Sequence, residues 1–73
     1  MVKELKVSNF REVKEIVSAA SGCLDDIGVH DKNGSIADAK SILGLMSLDY
    51  SAPVKLGSEN EAELNSVYRA VVQ

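Results

Sequence analysis

Apolar and polar residues alternate with two different periods along this chain of 73 residues, and the change of period predicts its elements. Val2 to Val7 alternates with the period of two that is typical of a strand. From Phe10 to Ala20, apolar residues recur at helical spacing, and Ser21-Gly22 ends the run. Asn9, with Glu12 three residues later, forms a capping pattern that opens this helix.

The middle of the chain predicts a hairpin followed by a short helix. Leu24 to His30 and Ser35 to Ala39 have the pattern of strands. Asn33-Gly34 lies between them, and this dipeptide favours a tight hairpin turn because it adopts positive φ at little cost. Ser41 stands where a helix N-cap belongs, so a short second helix begins after it.

The last third predicts one more strand and a closing helix. Ala52 to Leu56 is a strand that Pro53 enters at its edge, and Ser58 with Glu61 makes a second capping box. The closing helix has an apolar face, which consists of Ala62, Leu64, Val67, Tyr68 and Val71. The order β-α-β-β-α-β-α predicts one α+β domain over residues 1–73, with a four-stranded, mainly antiparallel sheet and three helices on one face.

The composition narrows the classes of function. Eight Lys and Arg stand against eleven Asp and Glu, whereas a nucleic-acid-binding domain would show a basic face. No apolar run reaches the roughly 18 residues of a membrane span, and the charged start does not have the pattern of a signal peptide. Cys23 is the only cysteine, so we expect a cytoplasmic protein without disulfides, with no nucleic-acid or membrane partner.

The second helix carries more apolar surface than one buried stripe can hold. A stripe covers only about 100° of a helix, and Leu45 and Leu48 are the residues expected to fill it. Ile42, Leu43 and Met46 are then left for an exposed patch, and such patches mark interfaces. Met suits such a surface because its flexible thioether adapts to different shapes.

The segment Lys40 to Leu48, KSILGLMSL, resembles the second-helix signature of the HPr family. HPr is the histidine-containing phosphocarrier of the bacterial sugar phosphotransferase system. The resemblance extends to the Asn33-Gly34 turn and to Val54 to Glu61, and it is good from Ala19 onwards but poor before it. It implies an HPr-like open-faced sandwich, which agrees with the predicted element order, and it implies that Ile42, Leu43 and Met46 dock partner proteins.

The family's phosphate acceptor is a His in a Gly-Leu-His-x-Arg-Pro-Ala pattern at the start of the first helix. In this chain Asn9 stands at the His position, Arg11 matches the Arg, and Glu12 replaces the Pro. An amide nitrogen is not nucleophilic, and Glu12 adds negative charge beside the site. The resemblance therefore implies a chain that is not an enzyme and lacks phosphocarrier activity, in which Arg11 is either a relic of the anion site or a surface residue paired with Glu15.

His30 and Ser41 are two further candidates for a functional role. His30 is the only histidine and hence the only candidate for a displaced phosphate acceptor, although a solvated residue beside the turn is the plainer interpretation. No second His and no Cys cluster accompanies it, so no metal site is expected. The residue that matches Ser41 is phosphorylated by a dedicated serine kinase in Gram-positive members, which implies a regulatory site here.

These observations predict an HPr-like regulatory or protein-binding module without a cofactor. It would bind phosphotransferase-system or regulatory proteins, a serine kinase among the candidates, through Ile42, Leu43, Met46 and Arg11, and would be a monomer or a weak homodimer. Two alternatives stay open. The chain is an active phosphocarrier that uses His30, or it is a paralogue that retains no partner.

Overall fold

The computed structural model describes residues 1–72, which form seven elements in the predicted order. The strands and helices are β1 (Val2–Leu5), α1 (Phe10–Ser21), β2 (Gly28–His30), β3 (Ile36–Asp38), α2 (Ile42–Met46), β4 (Val54–Gly57) and α3 (Glu61–Val72).

The four strands form one sheet in the order β1-β4-β2-β3, and every neighbouring pair is antiparallel. Leu56 lies opposite Val29, which in turn lies opposite Ala37, so these three side chains share one face of the sheet. All three are buried. The helices pack on this face and the other is open, so the predicted α+β open-faced sandwich is confirmed.

The core lies between the sheet and the helices. Ile16 and Ala20 from α1 and Leu64 and Val67 from α3 are almost wholly buried against it. Leu45 is the buried residue of α2. Within residues 1–72, no helix is long and apolar enough to cross a membrane.

The turn between β2 and β3 is tight, as predicted. Gly34 has φ of 84°, a conformation that side chains rarely adopt, and its N–H donates to the carbonyl oxygen of Asp31 at 3.1 Å. The carboxylate of Asp31 accepts from the N–H groups of Asn33 and Ser35, at 2.9 and 3.0 Å. The turn is therefore fixed by both the backbone and one side chain.

Several predicted boundaries were wrong: β1 ends at Leu5 rather than Val7, β4 begins at Val54 rather than Ala52, and two further differences lie near the start of α3. The second strand begins at Gly28 rather than Leu24, because the N–H groups of Leu24 and Asp25 donate to the carboxylate of Glu63 on α3 instead of to a strand. The N-cap of α3 is Asn60 rather than Ser58, since Asn60 Oδ1 accepts from the N–H of Glu63 at 3.1 Å. A contact between distant segments decides the start of β2, whereas a local hydrogen bond between residues three apart decides the N-cap of α3.

Candidate functional site

Two side chains at the start of α1 accept hydrogen bonds from nearby backbone N–H groups. Asn9 is extended (φ −157°, ψ 168°), and its Oδ1 accepts from the N–H of Glu12 at 3.0 Å. The carboxylate of Glu12 turns back and accepts from the N–H of Ser8 at 2.6 Å. The predicted cap is thus formed by Asn9, and the carboxylate of Glu12 lies beside this helix start, bonded to the residue before the cap.

Arg11 lies on the exposed side of the first turn of α1. The predicted pairing with Glu15 is not formed, because Lys32 with Asp49, at 3.7 Å, is the only ion pair among residues 1–72. Arg11 is therefore free to meet a partner from solvent. Its role in binding stays a prediction.

Phe10 departs from the predicted buried stripe of α1. Half of its surface is exposed, and the ammonium of Lys14 lies 5.8 Å from the centre of its ring. Its apolar ring therefore meets solvent and Lys14 rather than the core. The helical spacing alone did not reveal this, since the spacing continues through Phe10 without a break.

The start of α2 is capped by a serine hydroxyl rather than by an asparagine amide. Ser41 Oγ accepts from the N–H of Gly44 at 3.2 Å, as expected of an N-cap, and the residue is exposed. The first turn of α2 contains no acidic residue. A Cβ on Gly44 would lie only 3.3 Å from the Cβ of Ala37, so glycine at this position lets α2 approach β3 closely.

The two faces of α2 differ sharply in exposure. Leu45 is 0% exposed and Leu48 7%, whereas Leu43 is 79% and Met46 57% exposed. Ile42 departs from the predicted exposed patch, because it is partly buried and packs against the core. It lies three residues before Leu45, and residues at this spacing share one helix face.

A cleft of about 360 Å³ separates the start of α1 from the end of α2. It brings Asn9 and Met46 together, although they are far apart in sequence. Of the predicted site residues, Arg11, Ser41, Ile42 and Leu43 do not line it. Its lining consists of Val7, Ser8, Asn9, Phe10, Val13, Met46 and Tyr50.

Tyr50 forms one wall of this cleft and was not predicted as a site residue. Its hydroxyl donates to the carbonyl oxygen of Leu45 at 2.5 Å, which ties the ring to the end of α2. Burial, and then the negative charge of Asp31, raise the pKa of this phenol. The signal available in the sequence was an aromatic residue directly after the apolar helix, and only the fold shows where the ring points.

His30 lies away from this cleft. It ends β2, next to the inward-facing Val29, so its side chain projects from the open face of the sheet. Its neighbours across the strands are Lys55 and Ile36. No group of three or more metal-binding side chains occurs among residues 1–72.

Comparison with known proteins supports the HPr-like assignment. No protein-family model matches the chain, and no curated protein does. Among solved structures, the fold matches that of a phosphocarrier protein HPr from Bacillus anthracis str. Ames, with a TM-score of 0.77 and 25% sequence identity. The match covers 97% of this chain and 95% of that one, so the likeness spans nearly the whole domain.

Proposed function

We propose that this HPr-like chain is a protein-binding module related to the phosphotransferase system that does not carry phosphate at Asn9. The fold relates the chain to the phosphocarrier family, whose members are carriers rather than enzymes in the usual sense. The unpaired, buried thiol of Cys23 fits a reducing cytoplasm.

The main support for this proposal is the start of α1, where Asn9 caps the helix and the carboxylate of Glu12 lies beside it. A phosphoryl group needs a nucleophilic acceptor and free amide donors beside it. Asn9 offers an amide that already serves as the cap, and Glu12 places a carboxylate next to it. A phosphate at this position would meet like charge, so binding without phosphate transfer at Asn9 is the function that fits the geometry.

Partner binding is supported by exposed apolar side chains on both sides of the cleft. We define the docking surface as Phe10, Leu43, Met46 and Tyr50. The first three are between 50% and 79% exposed. An apolar cluster of this kind marks an interface in a small soluble domain. Ile42 contributes less to it because it packs against the core, while Arg11 adds charge at the rim.

Regulation at Ser41 is supported by the open start of α2. Its hydroxyl is exposed, and no acidic residue lies in the first turn to repel a phosphate. Phosphate at a helix start is favoured by free amides and by the helix dipole. We propose Ser41 as the target of a serine kinase of the HPr type.

Binding to the purified general phosphotransferase enzyme, measured by calorimetry, tests the docking surface. We expect Met46→Glu and Leu43→Glu to weaken binding at least about tenfold, since a charge would enter an apolar contact. Ile36→Glu is the matched control, because Ile36 is 66% exposed but lies on the open face of the sheet. Equal weakening by all three variants, or a wild-type protein that does not bind, would contradict this docking proposal.

Incubation with a purified HPr serine kinase, followed by peptide mapping, tests the regulatory site. We expect one phosphate, absent in Ser41→Ala and retained in Ser47→Ala, which alters another exposed serine at the other end of α2. Phosphate on Ser35 or Ser47 with Ser41 unmodified would overturn the assignment.

A further inference from the structure

We propose that Asp31 is a latch that ties the turn between β2 and β3 to the segment after α2, and thereby holds Tyr50 in the wall of the cleft. The inference rests on the docking function proposed above. It adds a residue that lies outside the docking surface and yet fixes the shape of that surface.

The two oxygens of Asp31 serve two different segments. Oδ1 accepts from the N–H groups of Asn33 and Ser35, within the turn. Oδ2 accepts from the N–H of Asp49, at 3.0 Å and 18 residues away. The residue is only 9% exposed, so water competes little for these three hydrogen bonds.

This arrangement needs a carboxylate and not merely a polar side chain. Only an ionised Asp presents acceptors on both oxygens, whereas Asn has one acceptor and one donor group. The hydrogen bond from the N–H of Asp49, and then those from Ser35 and Asn33, hold the pKa of Asp31 below its ordinary value. The latch is therefore charged, and closed, near neutral pH.

The latch reaches the cleft through the segment from Asp49 to Ser51. The carboxylate of Asp49 accepts from the hydroxyl and the N–H of Ser51, at 2.6 and 2.9 Å, so Tyr50 sits inside a closed turn. The hydroxyl of Tyr50 is fixed at its other end by Leu45. Releasing the N–H of Asp49 frees one of the two anchors of the Tyr50 ring.

The isosteric variant Asp31→Asn separates the two halves of the latch. Its single oxygen keeps the two hydrogen bonds of the turn, while its NH₂ group faces the N–H of Asp49 and cannot accept from it. We expect the Asp49 amide to exchange with solvent about tenfold faster or more, the factor for one lost hydrogen bond to a charged acceptor. We also expect the NMR resonances of the Tyr50 ring and the Met46 methyl group to move.

Asp49→Asn is the matched control. It removes charge from the same segment and loses the ion pair with Lys32, but it keeps the backbone N–H that Asp31 holds. The Tyr50 and Met46 resonances should stay near their wild-type positions in this variant. Changes confined to Asn33, Ser35 and Asp49 in Asp31→Asn, with the cleft unaltered, would overturn the proposal.

Hydrogen exchange in the wild-type protein gives a second test that needs no variant. One carboxylate holds the amides of Asn33, Ser35 and Asp49, so all three should be protected together. An unprotected Asp49 amide beside protected turn amides would also overturn the latch. Binding of Asp31→Asn to the general phosphotransferase enzyme is measured in parallel: an altered cleft with unchanged affinity would contradict the docking function and leave the latch standing.

Discussion

The starts of α1 and α2 are both capped by a side-chain oxygen and yet differ in what they can accept. At the start of α1, Asn9 caps the helix and the Glu12 carboxylate fills the space beside it. At the start of α2, Ser41 caps the helix with its hydroxyl, and the first turn carries no acid. Only the second start leaves room for added negative charge.

The difference shows that a helix N-terminus does not define an anion site by itself. Free amides and the helix dipole attract an anion, but a carboxylate from the same turn already places negative charge beside them. Glu12 therefore matters as much as the absence of a histidine at position 9. We therefore propose that the start of α1 is structural, whereas the start of α2 can accept a regulatory phosphate.

The largest effect on stability is expected from substitutions in α2, the helix on which the comparison of the two helix starts depends. If every apolar residue of α2 belonged to the core, α2 would present no docking surface for phosphorylation of Ser41 to regulate. We expect Leu45→Glu to lose about 3 kcal/mol or more, because it buries an unpaired carboxylate, and Leu43→Glu and Met46→Glu to stay within about 0.5 kcal/mol of wild type. Thermal melts of the three variants measure the loss of stability. Unfolding of all three would show that Leu43 and Met46 belong to the core and would contradict the docking surface.

A smaller effect sharpens the comparison of the two caps. Asn9→Ala and Ser41→Ala should each lose about 1 kcal/mol, since each removes the acceptor for one helix N–H. Asn9→Ser and Ser41→Asn are the controls, because both residues remain good caps. Denaturant unfolding gives the free energies, and an Ala variant as stable as its control would show that the cap at that helix contributes nothing.

The smallest effect on stability is expected from adding one negative charge at the start of α1 or at the start of α2. Asp is a good N-cap, so Ser41→Asp should keep wild-type stability. Asn9→Asp places a second carboxylate beside Glu12, and we expect it to lose a few tenths of a kcal/mol, less in high salt. Melting temperatures at low and high salt measure the difference. Equal behaviour of both Asp variants would mean that Glu12 does not block the start of α1.

The parts of this fold that were predictable from the sequence depend on local physics. Asn9 with Glu12, the Asn33-Gly34 turn and the Ser41 cap each follow from residues within four positions of one another. The wrong boundary at Leu24 depends on Glu63, 39 residues away, and no local pattern contains that contact.

The candidate site was predictable only in part for the same reason. The exposure of Leu43 and Met46 followed from having more apolar residues than one stripe can bury. Phe10 and Tyr50 were missed, because their exposure and position depend on how α1 and α2 meet across the cleft. Whether the docking surface binds partners stays a prediction.

One measurement tests the central claim directly: the intact mass of the protein after incubation with phosphoenolpyruvate and the general phosphotransferase enzyme. We predict no added phosphate on the wild-type protein, and little on Asn9→His, since Glu12 still repels a phosphate there. The gain of one acid-labile phosphate by the wild-type protein would contradict the account. If His30→Ala then abolished it, the chain would be a phosphocarrier that uses the open face of its sheet.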